Sequence, residues 1–391
     1  MDAVPESRPT LACTHTNAGG GDLTMKSLIK AMAITLATLS SITALSPTYA
    51  QTHAPKTLEE AGGMEALVAK AKAEGEVLLY GAPSADKVTQ WVKAFQDKYG
   101  IPVQYYRAPT NPLYQRFVQE AQVGRVQADA IAISDVNTLK DAQSKGYIAQ
   151  YTPETADKFP AEAVIPGIAY PLHLVVQAVG WNTRVVPEDL QKKLQEEPLE
   201  ALLDPRLEGK VALVTVTAGG PQSSAYSNLV YHQKDQYGWD YLKKLAKQKP
   251  AVLSSTTAML DAIIAGDYWA SPDAAPSVFG AKVVDGAPIA FATPAIASAT
   301  QFNLAVASNS PHPNAARLFA EWSASIEAQN QLAEIVEAEV AIDDWTDTRK
   351  IKDMPWYKPA KALWYGAPNL PELQPDKINA FYDQWQSILG R

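Results

Sequence analysis

The sequence predicts an α/β protein built as two lobes with a ligand cleft between them. Three observations carry this. Helical and extended segments alternate, with short turns, from residue 57 to residue 146. The alternation breaks over 151–167, a Pro-rich irregular stretch, and a second α/β series runs from 211 to 292. Two apolar extended stretches, 168–181 and 301–307, flank that second series and read as crossover strands. Strands alternating with helices imply a parallel or mixed sheet. Two lobes joined by crossovers leave a cleft, where ligands bind by default and hinge closure is the usual motion. The expected lobes are 51–170 with 301–345, and 171–300 with 346–391.

The elements follow from periodicity. Residues 57–74 place Leu58, Ala61, Met64, Leu67, Val68 and Ala71 at helical spacing, and Gly75 supplies a C-cap. Val77-Leu78-Leu79-Tyr80 is a short buried strand. The helix over 85–99 buries Val88, Trp91, Val92 and Phe95, and Gly100 stops it. Strand 101–106, helix 111–123, strand 128–133 and helix 136–145 complete the first series. In the second, strand 211–216 is followed by a Gly-rich loop at 219–224 and a helix over 225–235. Helices over 239–248 and 255–265 and a strand at 289–292 come next. Residues 313–334 read as one long helix with Ala316, Leu318, Phe319, Trp322 and Ile326 buried, and 375–389 as a terminal helix.

Residues 25–50 read as a cleaved export signal. Lys26 and Lys30 precede an apolar run from Ala31 to Leu45, and Thr48-Tyr49-Ala50 offers small residues for cleavage. The run is too short and too rich in Ser and Thr to span a bilayer, which needs about 20 apolar residues. Residues 1–24 read as an upstream extension outside the fold. The expected location is therefore the periplasm. The single cysteine, Cys13, lies in that extension, so the chain beyond it offers no disulfide and no thiol for metal or catalysis. A net charge of −8 argues against nucleic acid and against an anionic membrane surface. HExxH, CxxC, GxSxG and a strand-to-helix GxGxxG are all missing, so no enzyme, metal site or cofactor is expected.

Five blocks carry a family resemblance: EVLLYGAPSADKVTQWVKAFQDKYGIPVQYYRAPTNPLYQRFVQEAQVGRVQADAIAISD (76–135), VGWNT (179–183), LLDPRLEGKVAL (202–213), SSTTAMLDAIIAGD (254–267) and SNSPHPNAARLFAEW (308–322). In order and spacing they resemble family 1 extracellular solute-binding proteins, above all the ferric-iron-binding branch that serves ABC importers. The resemblance implies a two-lobed periplasmic-binding-protein fold of type II-like form. It also implies solute capture and delivery to an inner-membrane ABC permease by a protein expected to be a monomer. Iron-binding members carry two adjacent tyrosines just after the block matching Ala262–Tyr268. Here that place holds Trp269-Ala270-Ser271-Pro272-Asp273-Ala274-Ala275-Pro276-Ser277. The histidine those members carry after the first strand is also replaced, by Gly81-Ala82-Pro83-Ser84. Fe(III) needs phenolate and carboxylate oxygens, and Asp135 alone does not make a site. The expected ligand is a small organic solute, anionic or zwitterionic. Ferric iron is the alternative, and an enzyme on the same fold a second one.

Among candidate contacts, Gly219, Gly220, Gln222, Ser223 and Ser224 rank first. Glycines admit close backbone approach, and a helix start near Ser224 turns free N–H groups and a positive dipole end to an oxyanion. The same stretch reads otherwise as an ordinary capped helix start. Ser255 and Thr256 open the next helix, where a hydroxyl caps the helix and can also meet ligand. Arg107, after a strand end, suits bidentate grip of a carboxylate, or is a surface charge. Tyr80, Tyr170 and Trp269 lie near strand ends or the cleft lip, and each reads equally as core. Ser84, Asp135, Asp273 and His173, the last alone in an apolar strand, complete the set.

Overall fold

A computed structural model describes residues 54–390, apart from Ser84 and Gly219. The extension, the export signal, Cys13 and the readings of Ser84 and Gly219 lie outside the described residues. Gly62 and Gly63 take φ of 95° and 84°, so the first helix starts late: α1 is Gly63–Glu74, not 57–74. Gly75, at φ 94°, closes it with its N–H on the Ala71 carbonyl. The chain continues as β1 (Val77–Gly81), α2 (Ala85–Tyr99), β2 (Val103–Arg107), α3 (Thr110–Gln122), β3 (Ala130–Ile133) and α4 (Val136–Ser144). β1 pairs in parallel with β2 on one side and β3 on the other.

The predicted crossover is two strands, β4 (Ala169–Val176) and β5 (Ala178–Asn182), which belong to different sheets. α5 (Glu188–Glu196), α6 (Pro198–Ala201), β6 (Ala212–Val214) and α7 (Gly220–Ser227) follow. α7 begins where a loop was expected. Pro221 is tolerated because the first turn leaves its backbone nitrogen without a partner in any case. One π turn, Asn228–His232, extends α7. Next come α8 (Gly238–Ala246), β7 (Ala251–Leu253), α9 (Thr256–Ala265), β8 (Ala270–Ala274), α10 (Pro276–Val284), β9 (Ile289–Ala292) and β10 (Ile296–Val306). The expected single helix over 313–334 is α11 (Pro313–Ser323) and α12 (Ile326–Val336). Ser325 adopts extended dihedrals and caps α12 by accepting the Ala328 N–H at 3.2 Å. β11 (Ala362–Trp364) and α13 (Ile378–Leu389) end the fold.

The strands form a six-stranded sheet in the order β11-β10-β3-β1-β2, with β4 also on β10, and smaller sheets β8-β5-β9 and β6-β7. The large sheet is covered on both faces. Trp91, Phe95, Phe319 and Trp322 from α2 and α11 pack on one side, and Leu113, Phe117 and Leu139 from α3 and α4 on the other. Around the smaller sheets, Trp181, Tyr226, Leu242 and Trp385 share one core, and Met259, Phe279 and Phe291 another. The fold is α/β and two-lobed. The chain passes between sheets at Gln177 and again between β9 and β10, and these passages are bonded together. The Gln177 N–H donates to the Ser298 carbonyl at 2.9 Å, and the Asn228 amide donates to Gln177 Oε1 and to the Ile296 carbonyl, both at 3.1 Å.

Candidate functional site

A cavity of about 910 Å³ opens at the carboxyl ends of β1, β2 and β3. That edge is where open α/β sheets present ligands, because the loops and helix starts converge there. One wall carries Pro83 and Lys87, Arg107 at the end of β2, and Ser134 and Asp135 after β3. The other carries Gly220 to Ala225 of α7, Thr256 at the start of α9, and Pro272 to Ala275 at the end of β8. His173 of β4 and Thr300 of β10 lie on the crossover strands, and Tyr382 comes from α13.

Three buried polar atoms on this wall have no partner among the described residues: Ser224 Oγ, Thr300 Oγ1 and His173 Nδ1. Their residues are 3%, 9% and 6% exposed. Buried polar groups are nearly always paired with protein, water or ligand, and these three, sealed from solvent, belong to residues that line the cavity. Burial pushes the His173 imidazole down to about 4, so it is neutral at pH 7, and its ring lies against Phe302. Ser223 is engaged: its hydroxyl meets the Val216 carbonyl and the Tyr382 hydroxyl, both at 3.2 Å. Gln222 donates to the Thr256 hydroxyl at 3.3 Å.

Charges of both signs line the cavity. Lys87, half-buried, and Arg107, exposed, make no ion pair with a carboxylate among the described residues. Asp273 is buried in the β8 end. Its Oδ2 accepts the Val214 N–H at 2.7 Å and the Tyr226 hydroxyl at 3.0 Å. Burial raises the Asp273 carboxyl to about 7 against those two donors.

Arg107, Asp135, His173, Gly220, Gln222, Ser223, Ser224, Thr256 and Asp273 therefore come together around one cavity. Asp135 does so as a helix cap and not as a free ligating carboxylate. Its Oδ1 accepts from the Asn137 and Thr138 N–H groups at 2.9 and 3.2 Å, and its Oδ2 from the Thr138 hydroxyl at 2.8 Å. Four candidates sit away from the cavity. Tyr80 is core, its hydroxyl on Glu120 at 2.9 Å and its pKa pushed up to about 12, mainly by burial. Tyr170 packs on Phe159 and accepts the Gly167 N–H. Ser255 caps α9 through Ala258 at 3.2 Å, leaving only its neighbour Thr256 at the wall. Trp269 lies under the Lys210 ammonium, 3.4 Å from the ring. The sequence reading missed Lys87, Ser134, Thr300 and Tyr382. Thr300 falls one residue before the predicted return strand, and Tyr382 reaches the site by long-range packing that leaves no local signal. Among the described residues, no group of three His, Cys, Asp or Glu could hold a metal ion. No helix among them is long and apolar enough to cross a membrane.

Residues 81–330 match the family described as bacterial extracellular solute-binding protein, and the chain belongs to that family. No curated protein matches it. Solved structures share the fold at low identity. The substrate-binding protein of an ABC transporter from Agrobacterium tumefaciens is 17% identical with a TM-score of 0.63, over 82% of this chain and 97% of that one. Iron-bound HitA from Pseudomonas aeruginosa is 20% identical at 0.59, over 81% and 99%. AfuA from Actinobacillus pleuropneumoniae, with fructose-6-phosphate bound, is 15% identical at 0.60, also over 81% and 99%. The family is one of solute binders that serve ABC transporters, and such proteins are generally exported and normally not enzymes.

Proposed function

We propose that this protein captures a small organic solute through an anionic group and delivers it to an ABC permease in the inner membrane. In this reading the protein acts in the periplasm as a monomeric carrier without catalysis. The carrying observation is the buried Ser224 hydroxyl in the second turn of α7, unpaired among the described residues, close to the positive end of that helix's dipole. The hydroxyl and the dipole end favour a carboxylate or phosphoryl oxygen. Thr300 Oγ1 and the His173 ring add hydrogen-bonding capacity, and Lys87 and Arg107 supply positive charge from the opposite wall. The fructose-6-phosphate in AfuA is an organic anion held by a protein of the same fold, which supports the class. The lobe bounds expected from the sequence, 51–170 with 301–345 and 171–300 with 346–391, cut β4 and β10 in mid-strand, and we propose instead that the lobes divide at Gln177 and between β9 and β10. Closure would bend the chain at Gln177 and between β9 and β10, where the two passages are bonded side by side.

Ferric iron, the cargo of HitA, is less well supported here. Asp135 is committed to a helix cap, and Tyr226 and Asp273 to each other. Calorimetric titration with fructose-6-phosphate, succinate and propylphosphonate, with fructose as the neutral control, tests the anion reading. At least one anion should bind and fructose should not. Ser224→Ala should weaken that anion by roughly 1 kcal/mol, the net worth of one hydrogen bond. Equal binding of fructose, or an unaffected Ser224→Ala, contradicts the reading.

A further inference from the structure

We propose that the solute carries a protonated amine, besides its anionic group, and that this amine pairs with Asp273. The proposal rests on the anion reading above and adds the second pole of the ligand.

Asp273 is 7% exposed and lines the cavity. Its Oδ2 is filled by two donors from its own surroundings, the Val214 N–H and the Tyr226 hydroxyl. No donor among the described residues reaches Oδ1, which does not count among the solvent-sealed orphan atoms of the structure. The free oxygen therefore meets the cavity. No Lys, Arg or His among the described residues pairs with this carboxylate. The two cations of the cavity, Lys87 and Arg107, come from α2 and β2 around the large sheet, whereas Asp273 ends β8 of a smaller one. The other carboxylates of the cavity are already served: Asp135 caps α4, and Asp141 is bonded to Lys145 and Tyr114.

A buried carboxylate relieves its charge either by holding a proton or by pairing with a cation, and a hydroxyl donor supplies no such charge. An ammonium satisfies both the vacant lone pair and the charge. Tyr226 belongs to α7, the same helix whose first turn is the anion end of the site. One helix thus fixes both poles, and the ligand class that suits them is an amino acid in the broad sense: an amine linked by a short chain to a carboxylate or phosphonate.

The test uses matched ω-amino, ω-hydroxy and unsubstituted alkyl carboxylates and phosphonates over a graded series of chain lengths, titrated by calorimetry at neutral pH. In at least one chain length the amine should bind about 30-fold or more tighter than its hydroxy and unsubstituted partners, the scale of a truncated buried charge pair. Asp273→Asn keeps an acceptor for Val214 and Tyr226 and removes the charge. It should abolish the amine preference while leaving the unsubstituted anions within about threefold. Amines that bind no better than their partners in the parent protein, or a preference that survives in a folded Asp273→Asn, overturn the proposal and leave anion capture standing. Failure of every anion, aminated or not, overturns both. The comparison within the parent protein does not depend on how the variant folds.

Discussion

The Tyr226 hydroxyl and the Asp273 carboxylate meet at 3.0 Å inside the wall of the cleft. The same carboxylate oxygen takes the Val214 N–H, so α7, β6 and β8 are tied at one atom. A short polar strand, Ala-Ser-Pro-Asp-Ala, is thereby held fully buried at the edge of the ligand cavity. This arrangement fixes a titratable group in the lining of the cavity.

Asp273 and His173 should affect the ligand-free protein in opposite senses as pH changes. Asp273 is raised from 3.8 to about 7, so the native state keeps a proton that the unfolded chain loses. Stability from this group therefore falls as pH rises from about 4 to 7. His173 is lowered from 6.5 to about 4, so the unfolded chain keeps a proton that the native state lacks. Stability from this group rises over about 4 to 6.5. The two slopes oppose each other, each at most about 1.4 kcal/mol per pH unit. Calorimetric melting of Asp273→Asn should show a steeper gain with pH than the parent, and His173→Gln a loss. Variant profiles parallel to the parent's would show that neither group titrates this way.

Gly220 is in place for proximity and not for backbone conformation. Its φ is not positive, contrary to a requirement that a glycine loop would impose. A Cβ built there lies 3.6 Å from the Ser134 carbonyl and 3.8 Å from Thr300 Cγ2, which is ordinary contact. Gly220→Ala should bind solute within about threefold of the parent. Gly220→Val adds branches into that gap and over the first N–H groups, and should weaken binding by roughly 2 kcal/mol. Titration of both variants, with melting curves to confirm folding, decides it. Parent-like binding by the valine variant would remove this helix end from the site.

Asp135 is expected to matter for stability more than for affinity. It holds two backbone N–H groups and one hydroxyl at the start of α4. Asp135→Ala should cost about 1 kcal/mol of unfolding free energy, and Asp135→Asn less. Chemical denaturation measures the first quantity and titration the second. A folded Asp135→Asn with binding lost would make Asp135 a ligand contact after all.

Ferric citrate should produce no tyrosinate-to-iron charge-transfer colour. Tyr226 packs in the core behind Asp273, its hydroxyl pKa raised well above the ordinary value chiefly by burial, and it donates to Asp273. Tyr382 shares its hydroxyl with Ser223. A visible band saturating at one iron per chain would restore the iron reading.

Local periodicity made much of this fold legible. The stripe Val88, Trp91, Val92 and Phe95 is buried as its spacing requires, and α/β alternation with crossovers gives the two-lobed class. Three kinds of signal failed, each for a physical reason. Gly220-Pro221 reads as a loop, yet a helix's first turn accepts both residues. The break at Ser325 is hidden because α11 and α12 bury the same apolar face on either side of it. β8 is polar and Pro-containing, and only pairing with β5 and the bonds to Asp273 make it a strand. In the site, the lone His173 and the serines of α7 were visible as chemistry. Tyr80 and Tyr170 looked similar but turn into cores, because side-chain direction at a strand end is set by the sheet. Thr300 and Tyr382 depend on tertiary packing alone.

The central claim is that the cleft holds an organic anion at the start of α7. Native mass spectrometry of the protein, purified gently from its own host, tests this most directly. The account predicts a mass increment from one small organic solute per chain, released on denaturation, carrying a carboxylate or phosphoryl group and depleted in Gly220→Val. A chain that carries ferric iron, or a neutral solute retained equally by the valine variant, would contradict it.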